Sequence, residues 1–472
     1  MRNSKLLARV DIPLYMVKVI NERHILVAGG GGQANTGVKN SVEIYELLAP
    51  SHNVNSDGLS SSTCSARLVK RFLTDSRAIM SGTVFQNDRH LILAGGGING
   101  ECLLWRMRLI SKPRQETVHI NGNAGGGIRP NNNLINNDVG NAVRRRAAAA
   151  AVGVAGENND GGNVAAAVGR RSRTNSEVVP ESELGYTFEF TKLEAFKTDF
   201  SSLEEDAFVK VIRYNNNLSA LVAGGADGHI RIWRYPNVTK LVDIPAHKDE
   251  IDDLDIHPLG NVIASVSRDG HGYIWDANTG KRQCELVTEI PVIKNSTQLV
   301  KYVMRSCRYG LVVDSNPITY KLFTVHNPAS RHKPPYPAYL CKWDTNKYTV
   351  ERLTSLGAIM VSSMAISDDG RFIGIGTQEG TVEIYIAFSL QKLYSYPRAH
   401  NIFVTGLEFL KTCPETQLLT GNNDSSLVSI SVDRHLVIHS IPRQKTIGLT
   451  GSMICFAIVI FSIYIILELL GL

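Results

Sequence analysis

Ala226-Asp227-Gly228-His229-Ile230-Arg231-Ile232-Trp233 is the stretch whose reading decides the fold. An acid followed by glycine is the chemistry of a tight hairpin turn. Ile230 and Ile232 then alternate with His229 and Arg231, the period of two that marks a half-buried strand. The pattern returns twice. Arg268-Asp269-Gly270-His271-Gly272-Tyr273-Ile274-Trp275-Asp276 repeats it, and Gln378-Glu379-Gly380-Thr381-Val382-Glu383-Ile384-Tyr385 repeats it again. In each, an aromatic ring stands six positions after the acid. Trp233 to Trp275 is 42 residues, and Trp343 to Tyr385 is 42.

A period of roughly 40–45 residues with a Trp-Asp ending is the mark of a WD-type propeller blade, and Trp275-Asp276 and Trp343-Asp344 supply the dipeptide. Outward from these units, seven blades fit the chain. The first runs from about Leu14 to Lys70. The second begins at Ile79, includes Leu91–Gly97 and Cys102–Trp105, and takes its outer strand late, near Thr187–Leu193. The third to sixth cover roughly 206–245, 250–287, 299–353 and 358–397. The seventh begins near Ile402 and includes Leu427–Ser431 and Leu436–Ser440. Such rings close by pairing their ends, so Lys5–Val10 is expected beside Leu436–Ser440. The fold class is all-β, a seven-bladed WD-type β-propeller over residues 1–441, followed by a single C-terminal transmembrane helix.

That helix is read from Ile447–Leu467, 21 residues without a charge. At ~1.5 Å per residue they span ~30 Å, the thickness of a bilayer core. A basic linker, 442–446, precedes it and a short tail, 468–472, follows. Arg434, Arg443 and Lys445 before the span, against Glu468 after it, predict a cytosolic propeller and a lumenal tail. The N-terminus has no apolar core of signal-peptide length. Between about 112 and 183 the strand pattern gives way to Asn131–Asn133, Arg144–Arg146 and a run of alanines from Ala147, which predicts a disordered insert within blade two. Within it, Arg170-Arg171-Ser172-Arg173 has the form of a basic-directed kinase site.

The net charge of +6 is concentrated in the insert and beside the C-terminus, so it does not argue for nucleic acid as a partner. The seven cysteines form no C-x-x-C pair and no metal-ligand spacing with histidine, and they read as reduced, mostly buried thiols. His247 and His400 occupy the linker position that WD repeats use for a hydrogen bond into the blade. Asp253, Asp269 and Asp369 are turn or strand acids rather than a catalytic pair.

The repeats leave one segment unexplained. Ala28-Gly29-Gly30 recurs as Ala94-Gly95-Gly96 and Ala223-Gly224-Gly225, so Gly29 and Gly30 are blade architecture. Blade three reaches its next strand within about four residues of that motif, whereas blade one inserts Gly31-Gly32-Gln33-Ala34-Asn35-Thr36-Gly37-Val38-Lys39-Asn40. This is not a phosphate loop, because Val38 separates Gly37 from Lys39 and Asn40 stands where Ser or Thr would follow. Nor is it a Rossmann turn, because a strand follows instead of a helix. It has the character of a functional loop mounted on a rigid scaffold.

Three features together resemble the endoplasmic-reticulum guanine-nucleotide exchange factors for the Sar GTPase, the prolactin regulatory element-binding protein family. They are Pro13-Leu14-Tyr15 followed by Leu26–Gly32 and Thr36–Asn40, the divergent seven-bladed WD propeller, and the C-terminal span. The resemblance covers the chain apart from the insert. It implies a propeller that binds the Sar GTPase at the endoplasmic-reticulum membrane and promotes GDP release, starting COPII coat assembly and ER-to-Golgi transport. It implies a regulator without covalent chemistry of its own. It places the exchange loop at Thr36, Gly37, Val38, Lys39 and Asn40, and a potassium ion on backbone carbonyls of Gly31, Gly32, Gln33, Ala34 and Asn35. A membrane-tethered, non-catalytic WD scaffold is the competing reading.

Overall fold

The computed structural model describes residues 4–32, 37–49, 64–111, 185–203, 205–290, 300–312, 319–330, 333, 335–443 and 449–471. In chain order, β1 (Ser4–Arg9) precedes blade one, made of β2 (Leu14–Val19), β3 (His24–Gly29), β4 (Ser41–Leu48) and β5 (Ser65–Leu73). Blade two is β6 (Ile79–Asn87), β7 (His90–Gly97), β8 (Glu101–Ser111) and β9 (Tyr186–Lys197). Blade three is β10 (Val209–Asn215), β11 (Ala220–Gly225), β12 (His229–Arg234) and β13 (Thr239–Pro245). Blade four is β14 (Ile251–Ile256), β15 (Val262–Ser267), β16 (Gly272–Asp276) and β17 (Arg282–Glu285). Blade five is β18 (Tyr302–Val312), β19 (Thr319–Pro328), β20 (Ala338–Asp344) and β21 (Val350–Gly357). Blade six is β22 (Val361–Ile366), β23 (Phe372–Thr377), β24 (Val382–Ile386) and β25 (Lys392–Tyr396). Blade seven is β26 (Val404–Phe409), β27 (Ser425–Ser431) and β28 (His435–Ile441), completed by β1.

Each blade is a four-stranded antiparallel meander. β1 pairs with β28 in the register Ser4↔His439 to Arg9↔His435, so the ring closes by its two ends as the sequence predicts. Second strands such as β3, β11, β15 and β23 are buried from end to end, flanked by sheet partners and by the next blades. Apolar layers fill the seams between blades. Between blades one and two, Met16, Leu26 and Ile44 meet Ile79, Leu93 and Trp105. Trp343 is fully buried and donates its Nε1–H to Thr324 Oγ1 at 2.8 Å. Burying each large apolar side chain of these seams contributes about 1.5–3 kcal/mol.

A meander fixes two rims. Turns from second to third strand and connections between blades lie on one rim, called upper here. Turns from first to second and from third to fourth strand lie on the lower rim. The Gly30–Asn40 loop, between β3 and β4, is therefore on the upper rim. β28 is a third strand, so the chain leaves the propeller at Ile441 on the lower rim.

Two features depart from the sequence expectation. The lower turn of blade seven carries a short helix, α1 (Pro414–Thr420), with Pro at its start and Gly421 in the left-handed conformation at its end. Leu419 of α1 is buried under blade seven. β8 and β9 also extend blade two further than the repeat requires, to Ser111 and from Tyr186. The insert at 112–183 and its kinase-type motif lie outside the described residues.

After the propeller, α2 runs from Leu449 to Leu469, 21 residues, two beyond the predicted end at 467. Its side chains are described only from Phe456 onward, and among the described residues no helix is long and apolar enough to cross a membrane. Six free cysteines are described: Cys64, Cys102, Cys307 and Cys341 are buried, and Cys284 and Cys413 are half-buried.

Candidate functional site

The loop after β3 is anchored at both ends. Gly30 N–H donates to Pro13 O at 3.0 Å, which ties the Pro13-Leu14-Tyr15 segment directly to the glycine run. A Cβ at Gly29 would sit 1.9 Å from Pro13 O. Gly30 has φ of +138°, and a Cβ there would sit 2.2 Å from Asn40 Oδ1. Only glycine tolerates these two approaches, so Gly29 and Gly30 serve the blade.

Asn40 closes the loop. Its side chain is buried, with Oδ1 accepting Gly32 N–H at 3.0 Å and Nδ2 donating to Gly32 O at 2.9 Å and to Asp75 O at 3.0 Å. Its own carbonyl accepts Thr74 N–H at 3.0 Å. One side chain thus clamps the outgoing limb, the returning limb and the connection to blade two. Val38 is half-buried against the cluster that holds Leu7, Val10 and Leu436, over the seam where the ring closes. Gly37 has φ of +76° and open space around it. Lys39 is exposed and has no side-chain partner among the described residues. Gln33, Ala34, Asn35 and Thr36 lie outside the described residues. Of the five positions predicted for the exchange loop, Asn40 and Val38 hold the loop, Gly37 and Lys39 face outward, and Thr36 is the one outside the described residues.

Beneath the loop, Glu43 is fully buried and accepts from Ser41 Oγ, Tyr45 OH at 2.7 Å and Arg71 Nε at 2.7 Å. Arg71 also reaches Asp11 at 2.7 Å. Burial, and then the Glu43 charge, pushes the Tyr45 hydroxyl far above its ordinary pKa. Blade six repeats this device, with Glu383 accepting from Tyr385 OH, Lys392 Nζ and Ser395 Oγ. The recurring Val-Glu-Ile-Tyr at 42–45 and 382–385 was the readable sign of it.

His247 takes its expected place. Trp275 Nε1–H donates to Ser265 Oγ, which bonds His247 Nε2 at 2.8 Å, and His247 Nδ1 meets Asp269 at 3.1 Å. Blade seven builds the same chain with a histidine in the tryptophan's role. His439 Nε2 meets Ser429 Oγ at 2.8 Å, Ser429 Oγ meets His400 Nε2 at 2.7 Å, and His400 Nδ1 meets Asp433 at 3.2 Å. Asp433 is half-buried, and although that burial raises its pKa, bonds from His400 and from the Asn401 and His435 N–H groups hold its carboxyl well below the usual range. His400, Asp433 and His435 bring three possible metal-ligand atoms within 4.8 Å. Both imidazoles and two backbone N–H groups already occupy that carboxylate, so the cluster is a closed hydrogen-bond network.

His439 makes blade seven acid-sensitive. Burial, with a smaller push from His400, lowers its pKa to about 3, and burial lowers that of His326 to about 4. Unfolded histidine takes a proton near pH 6.5, so the unfolded state gains protons first as pH falls. Stability from these two neutral rings is complete above about pH 6.5 and declines below it, by up to ~1.4 kcal/mol per pH unit per histidine. Denaturant titrations at pH 7 and pH 5 should show this loss, and His439→Gln should shrink it.

The central channel carries a network the sequence reading did not assign. Arg213 of β10, Asp253 and Asp255 of β14, and Ser306 and Arg308 of β18 interlock, and Arg305 pairs with Asp252 at 2.6 Å. Burial raises the carboxyl pKa values of Asp252 and Asp255. Lys18 pairs with Glu408 and Lys210 with Glu250. These cations are neutralised by carboxylates, so the network staples inner strands together rather than forming an anion pocket.

The family model for the WD domain, G-beta repeat, matches residues 201–234 and 238–276. Over 465 residues the chain is 30% identical to the Rattus norvegicus protein named guanine nucleotide-exchange factor SEC12, covering 97% of this chain and 95% of that one. The chain belongs to the SEC12 guanine nucleotide-exchange factor family. The Mus musculus SEC12 protein matches at the same identity and coverage. SEC12-like protein 1 of Arabidopsis thaliana is 24% identical over 219 residues, 46% of this chain and 49% of that one. In this SEC12-family chain, the clamped loop at Gly31–Asn40 is the part of the upper rim that the blade repeat does not account for.

Proposed function

We propose that the chain is a guanine-nucleotide exchange factor that binds a Sar-type small GTPase and promotes its GDP release at the endoplasmic-reticulum membrane, starting COPII assembly and ER-to-Golgi transport. The observation that carries this reading is the loop: rigidly clamped by Asn40, and presenting Gly37 and Lys39 outward from a propeller rim. The chain is a regulator, and no bond of substrate is made or broken by it.

The mechanism is differential binding. A partner shifts an equilibrium only by its difference in affinity for the two states. A loop that fits the nucleotide-free GTPase better than the GDP-bound form weakens GDP by the same factor. Thr36, Gly37 and Lys39 are the contact residues in this reading, with Lys39 bringing a cation toward the magnesium and switch region. Val38 and Asn40 position them.

The implied potassium ion is compatible with the loop's donor chemistry. Between Gly30 and Asn40 there is no carboxylate, only neutral oxygens of the kind that hold a large monovalent cation. Gly31, Gly32, Gln33, Ala34 and Asn35 would hold it through carbonyls, and Gly32 O keeps one lone pair beyond its bond to Asn40. Such an ion would supply a positive centre that draws the carbonyls together.

The membrane anchor of this reading is 447–467, with propeller and linker in the cytosol. In its support, Phe456 and Phe461 of α2 are 69% and 64% exposed, side chains that no protein surface covers. The test is binding by nucleotide state. The full chain should form a stable complex with nucleotide-stripped Sar-type GTPase and lose it when GDP or GTP is added. Binding indifferent to nucleotide would instead identify a tethered scaffold.

A further inference from the structure

The chain leaves the propeller on the lower rim, at Ile441, and α2 begins at Leu449. Seven residues, 442–448, connect them. From Ile441 to Leu449 there are eight Cα–Cα steps, so the two ends can lie at most ~29 Å apart, and a chain of that length averages about 14–17 Å. Blade strands of six to eight residues are about 20–26 Å long. If α2 is anchored in a bilayer, only a tether close to full extension would let the upper rim reach the lipid, and at its average span the lower rim is the nearer one.

The lower rim carries side chains suited to that contact. Leu418 of α1, in the same blade that feeds the tether, is 73% exposed. Phe388, in the lower turn of blade six, is 53% exposed, and Lys342 Nζ lies 5.5 Å from its ring centre. Arg443 adds exposed positive charge at the exit, whereas Lys411 is paired with Glu22 at 3.1 Å. Exposed apolar side chains with a basic residue beside them are what a phospholipid headgroup layer accepts, and here Arg443 is that residue, Lys342 being buried and paired with Glu351. α1 itself is held against blade one, with Thr416 Oγ1 donating to Glu22 O at 3.3 Å, so Leu418 is displayed from a fixed support.

From this we infer that the lower rim rests on the cytosolic phospholipid surface through Leu418 and Phe388, and that the exchange loop points away from the bilayer. The inference rests on the membrane-anchor reading given above. The GTPase is then engaged on the far side of the propeller, at least one strand length from the lipid.

The test uses the full chain in phosphatidylcholine–phosphatidylserine vesicles that carry an acceptor dye on a headgroup. A single fluorescent amino acid is placed at position 418, 388 or 39. Strong energy transfer from 418 and 388, and weak transfer from 39, is the expected result. Equal or stronger transfer from 39 overturns the orientation. Leu418→Glu should lower transfer from 388, and unchanged transfer would remove Leu418 from the contact. Extraction of the chain by alkaline carbonate would refute the anchor itself, which separates that failure from a wrong orientation.

Discussion

Replacing residues 33–39 by a short Gly-Ser turn, with Asn40 retained, should abolish accelerated GDP release while leaving thermal unfolding of the propeller unchanged. The clamp explains why the two effects separate. Asn40 ties Gly32 to Asp75 from within, and its backbone carries the chain into β4. Of the described residues in the replaced stretch, Gly37 has open space around it, Lys39 is exposed and Val38 packs on the closing cluster. Coupling between two ligands typically amounts to ~1–3 kcal/mol, a 5- to 150-fold change in affinity, and loss of the loop should remove a change of at least that size. Asn40→Ala should behave differently. It leaves Gly32 N–H, Gly32 O and Asp75 O without their partner, at ~1–3 kcal/mol where water cannot reach. Stability and exchange should then fall together. Exchange that survives the Gly-Ser replacement would remove the loop from the mechanism.

Deleting residues 1–9 should cost the propeller its cooperative unfolding. β1 is the outer strand of blade seven, and without it β28 becomes the open outer edge of that blade. Leu7 leaves a cluster that also packs Ile12, Leu14, Val428 and Ile438. Loss of this burial and of the strand's hydrogen bonds should reach about 5 kcal/mol, comparable with the whole margin of an ordinary domain. Calorimetry of the full chain against the deletion variant measures this. Because Val38 rests on the same cluster, the surviving folded fraction should also exchange nucleotide poorly.

The blades were legible because several local rules agree at each of them. Asp227-Gly228 and Asp269-Gly270 specify turns, alternation specifies the face, and the 42-residue spacing specifies the repeat. The closing strand followed from topology, since a ring without Lys5–Val10 leaves an edge. α1 had its own signals, Pro414 at the first turn and Gly421 after the last, but a seven-residue helix falls below the length at which period can be read. Asn40 was legible as part of the loop and not as its clamp. A polar residue beside glycines looks exposed, and only the tertiary approach of Asp75 and Gly32 buries it. His439 replaces a tryptophan in the blade's hydrogen-bond chain, a substitution that local pattern does not announce. The channel ion pairs join β10, β14 and β18, strands dozens of residues apart, so their pairing follows only from the packing of consecutive blades around the channel.

Exchange activity is tested by the rate of GDP release from a panel of small GTPases, measured with fluorescent GDP and the full chain. Concentration-dependent acceleration is expected for the Sar-type GTPase, and little for the Arf, Rab and Ras types. Unaccelerated release from the Sar-type GTPase, under conditions where the two proteins bind, would contradict that expectation.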